Sequence, residues 1–286
     1  MLVVVTPTIK SRQPVYDEFV RSWAELFKKH NVLFVTVWDG DNQHIEDSNG
    51  VEMTTEQIMG KDSDLIAVRD GSCKNLGLVY AMKYTDCTEV LLLDDDVRPI
   101  GDTIQDHLDI LRQTVATSWL STASEYMRGF PYGIRNEATV GLSHGVWEGV
   151  PDFDAPTQLV KGVHDVYFPK VIVPKGVLFP MCGMNVAVTR EAMPYLYFAP
   201  PWNEMGRNDD IFGGINLKRE FDKLGLAVAT GYARVRHDRA SNVFSNLHRE
   251  GLFIKLNETY YLGDTSHPYF EEYHSKLKRW QNVMFG

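Results

Sequence analysis

A short apolar run that ends in three carboxylates constrains the fold of this 286-residue chain more than any other feature. Residues 90–93 are all apolar, and Asp94, Asp95 and Asp96 follow them directly. An uninterrupted apolar run of this length is typical of a strand that is buried on both faces of a sheet. In open α/β folds, ligands bind beyond the carboxyl ends of such strands, so the sequence predicts a site at this strand end.

The three carboxylates point to a bound cation. Adjacent carboxylates repel one another in a half-buried crevice, and a divalent cation relieves that repulsion. Oxygen ligands of this kind suit Mg²⁺ or Mn²⁺, so Asp94 and Asp96 are candidate metal ligands, with Asp94 and Asp95 also candidates for binding a ligand held through the metal. On these residues alone, a solvated acidic turn that caps the following helix is an equal alternative.

Strand and helix patterns alternate through the first 118 residues. Strands are predicted at 2–5, 32–37, 65–68 and 90–93, and helices at 15–30, from about 54, after the turn at 69–72 and at about 102–117. This alternation predicts an α/β fold with a mostly parallel, Rossmann-like sheet flanked by helices. Beyond residue 118 the pattern is more irregular, with strands predicted at 171–173, 184–188, 226–229 and 233–235 and helices at 209–224 and about 268–282. We expect a single domain, 1–286, in which 1–118 form a nucleotide-binding half and 119–286 complete the site.

Composition and missing motifs exclude several classes of protein. The net charge of −9 disfavours binding to nucleic acid, although it permits a small nucleotide. Neither a Gly-x-Gly-x-x-Gly fingerprint nor a phosphate-binding loop occurs, so neither flavin nor nicotinamide is expected. The three cysteines include no Cys-x-x-Cys pair, which favours a reducing compartment. The chain starts with a strand pattern and has no apolar run of membrane-spanning length, so we predict a cytoplasmic protein without a membrane span.

Further polar residues stand at predicted strand ends and helix starts, where they are candidates for binding a nucleotide or a sugar. They are Asp39, Arg69, Asn75, Asp209, Asp210 and His237. The tandem acids at the helix start suit sugar hydroxyls or a cation that develops at an anomeric carbon, and a neutral His237 suits a metal. Each residue also has a purely structural explanation, as a turn, a cap or a packed side chain.

Several long motifs make the chain resemble one family closely. They lie at 129–135 (GFPYGIR), 142–147 (LSHGVW), 151–161 (PDFDAPTQLVK), 174–185 (PKGVLFPMCGMN), 206–210 (GRNDD) and 237–242 (HDRASN). These runs resemble the reversibly glycosylated polypeptides, the UDP-arabinopyranose mutases known from plants. The similarity extends from Thr6 to about Gly263.

The resemblance implies a fold, a substrate and a set of roles. It implies the A-type glycosyltransferase fold, a Mn²⁺- or Mg²⁺-dependent site for a UDP-sugar, and interconversion of UDP-arabinopyranose and UDP-arabinofuranose. Residues 94–96 become the metal and diphosphate motif, and Arg135 matches an arginine that family members glycosylate reversibly. Thr6, Lys175 and Gly183, within or beside the matched runs, join the nucleotide-binding candidates. In this mechanism Asp209 or Asp210 positions the sugar, and Arg135 either traps it or steadies the departing phosphate.

Departures from the family pattern keep alternatives open. Residues 132–134 (YGI) replace the usual Phe-Ser-Leu before the arginine, Asn136 replaces a glutamate, and the sequence diverges after about Leu252. The departures therefore leave two points undecided: which sugar the UDP carries, and whether the chain forms a homo-oligomer. One alternative is a transferase that uses the UDP-sugar with an external acceptor, the only role in which we consider nucleic acid. The other is a non-catalytic subunit of a complex.

Overall fold

The computed structural model describes residues 1–117, 128–135, 137–162, 164, 166, 168–202, 207–238, 242–251 and 254–286. The strands are β1 (Leu2–Thr8), β2 (Leu33–Trp38), β3 (His44–Asp47), β4 (Glu52–Thr54), β5 (Glu89–Leu93), β6 (Val97–Pro99), β7 (Thr114–Ala116), β8 (Glu137–Gly149), β9 (Val171–Ile172), β10 (Asn185–Thr189) and β11 (Leu226–His237). The helices are α1 (Gln13–Lys29), α2 (Thr55–Met59), α3 (Lys74–Tyr84), α4 (Thr103–Ile110), α5 (Ala155–Lys161), α6 (Asp209–Leu224), α7 (Val243–Gly251), α8 (Ile254–Tyr261) and α9 (Pro268–Phe285). None of the helices in the described residues combines the length and the apolar character needed to cross a bilayer.

The described strands form one sheet in the order β4-β3-β2-β1-β5-β10-β8-β11-β6, with β7 beside β8 and β9 beside β11. The predicted α/β class is confirmed, but the expectation of a mostly parallel sheet is wrong. Only β1–β2, β1–β5 and β8–β11 are parallel pairs among the described strands. The sheet is mixed because β10 enters antiparallel between β5 and β8, joining the two halves of the chain.

Alternate residues of the central strands feed two separate cores. Val3 and Val5 face one core, built with α3, α6 and α9, whereas Leu2 and Val4 face the other, built with α1 and α4. All four side chains are buried, as are those of residues 90–93. The apolar runs therefore form strands covered by helices on both faces, as their sequence predicts.

Local patterns misled the prediction at three places. Residues 65–68 form no strand, because Leu65 ends a 3₁₀ helix (Gly60–Leu65) and its apolar side chain packs into the core from there. The outermost strands on that side of the sheet are instead β3 and β4, which pair antiparallel. The helix predicted to reach residue 117 ends at Ile110, and the chain turns back as β7. The long strand β8 lies in the region that had looked irregular.

The strand directions place five carboxyl ends at one edge of the sheet. β1, β2 and β5 are parallel, and β8 runs in the same direction because both β5 and β8 are antiparallel to β10. β11 is parallel to β8. Thr8, Leu93 and His237 therefore end their strands at a common edge, where the fold collects the polar side chains described next.

Candidate active site

The three carboxylates after β5 all lie at this edge, and basic side chains hold them. Thr8 Oγ1 donates to Asp95 Oδ2 at 2.7 Å. Arg12 Nη2 lies 2.7 Å from Asp95 Oδ1 and 2.8 Å from Asp96 Oδ2. Burial raises the pKa of Asp95 to about 6, although Thr8 and Arg12 act to lower it. The acidic motif is thus part of a packed network and not a solvated turn.

His237 ends β11 next to Asp96. Its Nδ1 donates to the Val150 carbonyl oxygen at 2.9 Å, since a carbonyl can only accept. In the tautomer with the proton on Nδ1, the lone pair is on Nε2, which lies 3.9 Å from Asp96 Oδ1. Asp94 and Asp96 offer carboxylate oxygens near this imidazole, ligand types that suit Mn²⁺ or Mg²⁺, but among the described residues these three do not bring one ligand atom each within 4.8 Å of one another.

Lys74 is a central residue of the site that the sequence did not reveal. It is the first residue of α3, is 6% exposed, and places Nζ 2.6 Å from Asp94 Oδ1 and 2.8 Å from the Gly183 carbonyl oxygen. Burial acts to lower the pKa of Lys74, but Asp94, Asp209 and Asp210 raise it above its usual value, so the side chain is charged. A lysine at the start of an otherwise apolar helix was the available signal.

Asp209 and Asp210 begin α6 and face the same cluster. Gly183 N donates to Asp210 Oδ2 at 2.8 Å, so the Gly183 peptide bridges Asp210 and Lys74. A Cβ at position 183 would lie 2.9 Å from Phe198, which explains why this close approach needs glycine. Burial, then the neighbouring carboxylates, raises the pKa of Asp209 well above its usual value and that of Asp210 to about 6.

A second group of side chains joins Asp210. One ligand atom from each of Asp152, Cys182 and Asp210 lies within 4.8 Å of the others, a spacing that a metal ion can also bridge. Cys182 N donates to His144 Nε2 at 3.1 Å, which fixes the backbone beside the thiol. Sequence reasoning singled out neither Asp152 nor Cys182, although both lie within the family motifs.

An open cleft of about 1540 Å³ connects these groups. Its lining includes Asp39 and Arg69 and, from α7, Arg249 and Glu250. Asp39 Oδ1 accepts hydrogen bonds from the backbone nitrogens of Gly40 and Arg69 at 2.8 and 2.9 Å. Arg69 has a φ of 60°, and its guanidinium pairs with Asp41 at 2.8 Å. Both predicted nucleoside residues thus belong to the lining of the cleft.

Three other candidate residues lie away from the cleft. Asn75 is buried. Its Nδ2 donates to the Phe198 carbonyl oxygen at 2.9 Å, and its Oδ1 accepts from the Phe198 backbone nitrogen at 3.0 Å. Thr6 is buried inside β1, and Lys175 is exposed in the loop between β9 and β10. These three side chains are not among the described residues that line the cleft.

Arg135 stands at the opposite edge of the sheet from the acidic motif. Val186 pairs with both Leu92 and His144, so His144 is level with the end of β5. β8 begins at Glu137, seven residues before that level and on the order of 20 Å away at about 3.3 Å per residue, and Arg135 precedes this end of the strand. Its guanidinium lies 3.7 Å from the Tyr132 ring centroid and donates to the Phe130 carbonyl oxygen. The structure does not bring Arg135 together with the carboxylates, and the substituted Asn136 beside it lies outside the described residues.

Comparison with known proteins shows where this chain belongs. A solved Drosophila β-1,4-galactosyltransferase 7 variant with manganese, UDP-Gal and xylobiose overlaps 85% of this chain and 72% of its own at a TM-score of 0.41 and 13% identity, too low to support an assignment. UDP-arabinopyranose mutase 3 of Arabidopsis thaliana is 30% identical over 279 residues, covering 88% of this chain and 75% of that protein. UDP-arabinopyranose mutase 1 of Oryza sativa subsp. japonica is 32% identical over 282 residues, with 88% and 74% covered. A family model described as "Reversibly glycosylated polypeptide" matches residues 2–274, and the chain therefore belongs to the reversibly glycosylated polypeptide family.

Proposed function

We propose that this chain interconverts UDP-arabinopyranose and UDP-arabinofuranose. The observation that carries the proposal is the continuity of the cleft. At one place the cleft presents Asp94, Asp96 and His237, side chains that can bind a metal and, through it, a diphosphate. Lys74 and the Gly183 backbone connect Asp94 to Asp210, one of the two acids that we assign to the sugar. The names of the relatives supply the substrate class, UDP-arabinopyranose.

We assign the diphosphate to the edge formed by β1, β5 and β11. Asp94, Asp96 and His237 would hold Mn²⁺ or Mg²⁺, which as a Lewis acid offsets the charge that develops on the departing UDP. Arg12 and Lys74 already lie against these carboxylates and add positive charge on the same side. Both cations would stabilise the diphosphate as the bond to the sugar breaks.

With the diphosphate placed there, the nucleoside and the sugar of the substrate can be assigned to the residues on either side of it. We assign the nucleoside to the rim with Asp39 and Arg69, and the sugar to Asp209 and Asp210. Asn75 and Thr6 are structural in this proposal because their side chains lie inside the fold. Arg135 has no reacting role here, because it lies at the far edge of the sheet.

An assay without any acceptor tests the proposal. Purified protein is incubated with UDP-arabinopyranose and Mn²⁺, and the nucleotide sugars are separated by chromatography. We expect UDP-arabinofuranose to form, and Asp96→Asn to lower its rate at least about 100-fold because it removes a charged metal ligand. Asp109→Asn removes the same charge from the exposed face of α4 and serves as the control. Hydrolysis to UDP alone, or no turnover by folded protein, contradicts the proposal.

The volume of the cleft favours a second candidate function, that of a transferase with an external acceptor. The cleft exceeds the roughly 300–1,000 Å³ of a usual small-molecule pocket. Residues of α5 and α7 line this cleft together with the sugar acids, and an acceptor would bind among them. Turnover that begins only when an acceptor is added would favour the transferase, and UDP binding without any turnover would favour a non-catalytic subunit.

We also propose a cytoplasmic location. All three cysteines are free and buried, and a reducing compartment keeps such thiols in that state. Fractionation of cells that express the tagged chain tests this, and recovery in a secreted or membrane fraction would contradict it.

A further inference from the structure

Asp152 and Asp210 approach each other in the cleft, beside the Gly183 backbone that Lys74 connects to Asp94. Asp152 stands between β8 and α5, and Asp210 is the second residue of α6. Their carboxylate oxygens and Cys182 Sγ all lie within 4.8 Å of one another. Gly183 N holds Asp210 Oδ2 in place, and both carboxylates line the cleft.

The two carboxylates lie close enough to repel each other, with one oxygen of each within 4.8 Å of the other. Two carboxylates at this distance repel when both are ionised, and a single proton between them removes the repulsion. Burial and Asp152 both raise the pKa of Asp210, to about 6, and Asp94 acts in the same direction. The opposing influences are the Gly183 amide and the Lys74 ammonium.

The Cys182 thiol makes the Asp152–Asp210 pair a poor binding site for a hard cation, which leaves a proton as the charge that the pair holds. Burial raises the pKa of Cys182 well above its usual value, and Asp152 and Asp210 raise it further. The thiol is therefore neutral, and a neutral sulfur is a poor ligand for Mg²⁺ or Mn²⁺.

The proposed reaction needs such a pair. A pyranose ring of arabinose closes through O5 and a furanose ring closes through O4. Contraction therefore requires O4 to lose a proton and O5 to gain one, while C1 exchanges one ring oxygen for the other. Two carboxyl groups with one proton between them supply both transfers without any outside acid or base.

We propose that Asp152 and Asp210 exchange the protons of O4 and O5 during ring contraction, an inference that rests on the proposed function. After the bond from C1 to UDP breaks, an O4 lone pair forms the C1–O4 bond, and its proton passes to the ionised carboxylate. The C1–O5 electron pair then returns to O5, which takes the proton of the other carboxyl group. A UDP oxygen re-forms its bond to C1. The pair holds one proton before and after, so the same residues serve the reverse reaction.

Bond cleavage and ring contraction can be measured separately. UDP-arabinopyranose labelled with ¹⁸O in the oxygen between C1 and the β-phosphorus scrambles that label whenever the C1–O bond breaks and re-forms. We expect Asp152→Asn to keep label scrambling within about threefold of the unmodified protein. Formation of UDP-arabinofuranose should fall at least about 100-fold, the usual size of a lost general acid–base step. Asp152→Glu, which keeps the carboxyl group, should recover at least about a tenth of the activity, and Asp109→Asn should change neither rate.

Each other outcome has a distinct meaning. Equal loss of scrambling and contraction in folded Asp152→Asn would overturn the proton exchange, as would no loss of either. A stoichiometric zinc ion that Cys182→Ser removes would also overturn it, because the three groups would then hold a metal. If the unmodified protein neither scrambles the label nor forms the furanose, the proposed function fails first, and the exchange fails with it.

Discussion

Lys74 is the side chain that links the two ends of the site. Its ammonium bonds to Asp94 and to the peptide that holds Asp210. The local signal, a lysine at the start of an apolar helix, does not specify this role, since a lysine at a helix start is ordinarily exposed. Asp152 and Cys182 escaped prediction for the same reason, because they meet Asp210 only through the fold. By contrast, Asp94 to Asp96 were placed correctly from sequence, because a buried strand determines where its carboxyl end lies.

Removing Lys74 should destabilise the protein because it leaves a carboxylate in a partly buried site without its partner. We expect Lys74→Met to lower the free energy of unfolding by about 3 kcal/mol in urea titrations without added metal. The double variant Lys74→Met, Asp94→Asn should regain part of that loss. Lys223→Met breaks an exposed pair of similar length, 2.7 Å to Glu220, and should cost less than about 1 kcal/mol. Equal losses in the two single variants would contradict the buried pair.

Two buried histidines should make stability depend on pH. Burial lowers the pKa of His107 to about 4 and that of His144 to about 3. Histidine has a pKa of about 6.5 in the unfolded chain, so below pH 6.5 the unfolded chain binds protons at these rings while the folded chain does not. The stability that is present above pH 6.5 is therefore lost as the pH falls towards 4. Each ring should account for a loss of about 2 kcal/mol between pH 7 and pH 5.

A variant isolates one of these rings. His107→Gln places an amide nitrogen near the position of Nε2, where it can donate to Asn185 Oδ1, and it cannot be protonated. We expect its loss of stability between pH 7 and pH 5, measured by urea unfolding, to be about 2 kcal/mol smaller than that of the unmodified chain. Identical losses in the two proteins would show that His107 does not remain neutral in the fold.

At the level of elements, α3 sets the position of Lys74 by packing closely on β1. A Cβ at Gly77 would lie 2.2 Å from Val5 Cγ1, so the helix must shift to accept even alanine. We expect Gly77→Ala to lower the free energy of unfolding by about 1–3 kcal/mol, the cost of overpacking. Gly133, where a Cβ meets nothing within 4 Å, provides the control. Urea unfolding of Gly77→Ala with no loss of stability would contradict this contact.

Elements with strong periodicity and clear ends were predictable. The helix predicted at 209–224 is α6, which ends where Gly225 takes a left-handed φ of 70°. The strand predicted at 65–68 fails because tertiary burial of Leu65 produces the same apolar pattern without sheet pairing. β8 was missed because three glycines and several polar residues interrupt its pattern, although antiparallel pairing with β10 and parallel pairing with β11 hold it.

For the molecule as a whole, the C-terminal helix completes a core that begins with β1. Trp280 of α9 is fully buried, with its ring 5.2 Å from that of Tyr197. It lies beyond residue 274, where the family model ends. The divergent tail therefore belongs to the folded unit, and its sequence pattern predicted the helix but not its burial.

Truncating this side chain tests the role of α9. We expect Trp280→Ala to lower the free energy of unfolding by about 3–5 kcal/mol, the cost of a large buried cavity. Phe285→Ala, in the same helix at a side chain 63% exposed, should cost less than about 1 kcal/mol. Thermal or urea unfolding measures both, and a small effect at Trp280 would contradict its place in the core.

The central claim is that Asp94, Asp96 and His237 bind a UDP diphosphate through a divalent metal. Calorimetric titration of UDP, with Mn²⁺ and then with the metal chelated, tests this most directly. We predict that chelation weakens UDP binding at least about tenfold, and that Asp96→Asn and His237→Ala do the same in the presence of Mn²⁺. Asp109→Asn should bind UDP as the unmodified protein does. Equal affinity for UDP with and without the metal, or in the ligand variants, would contradict the claim.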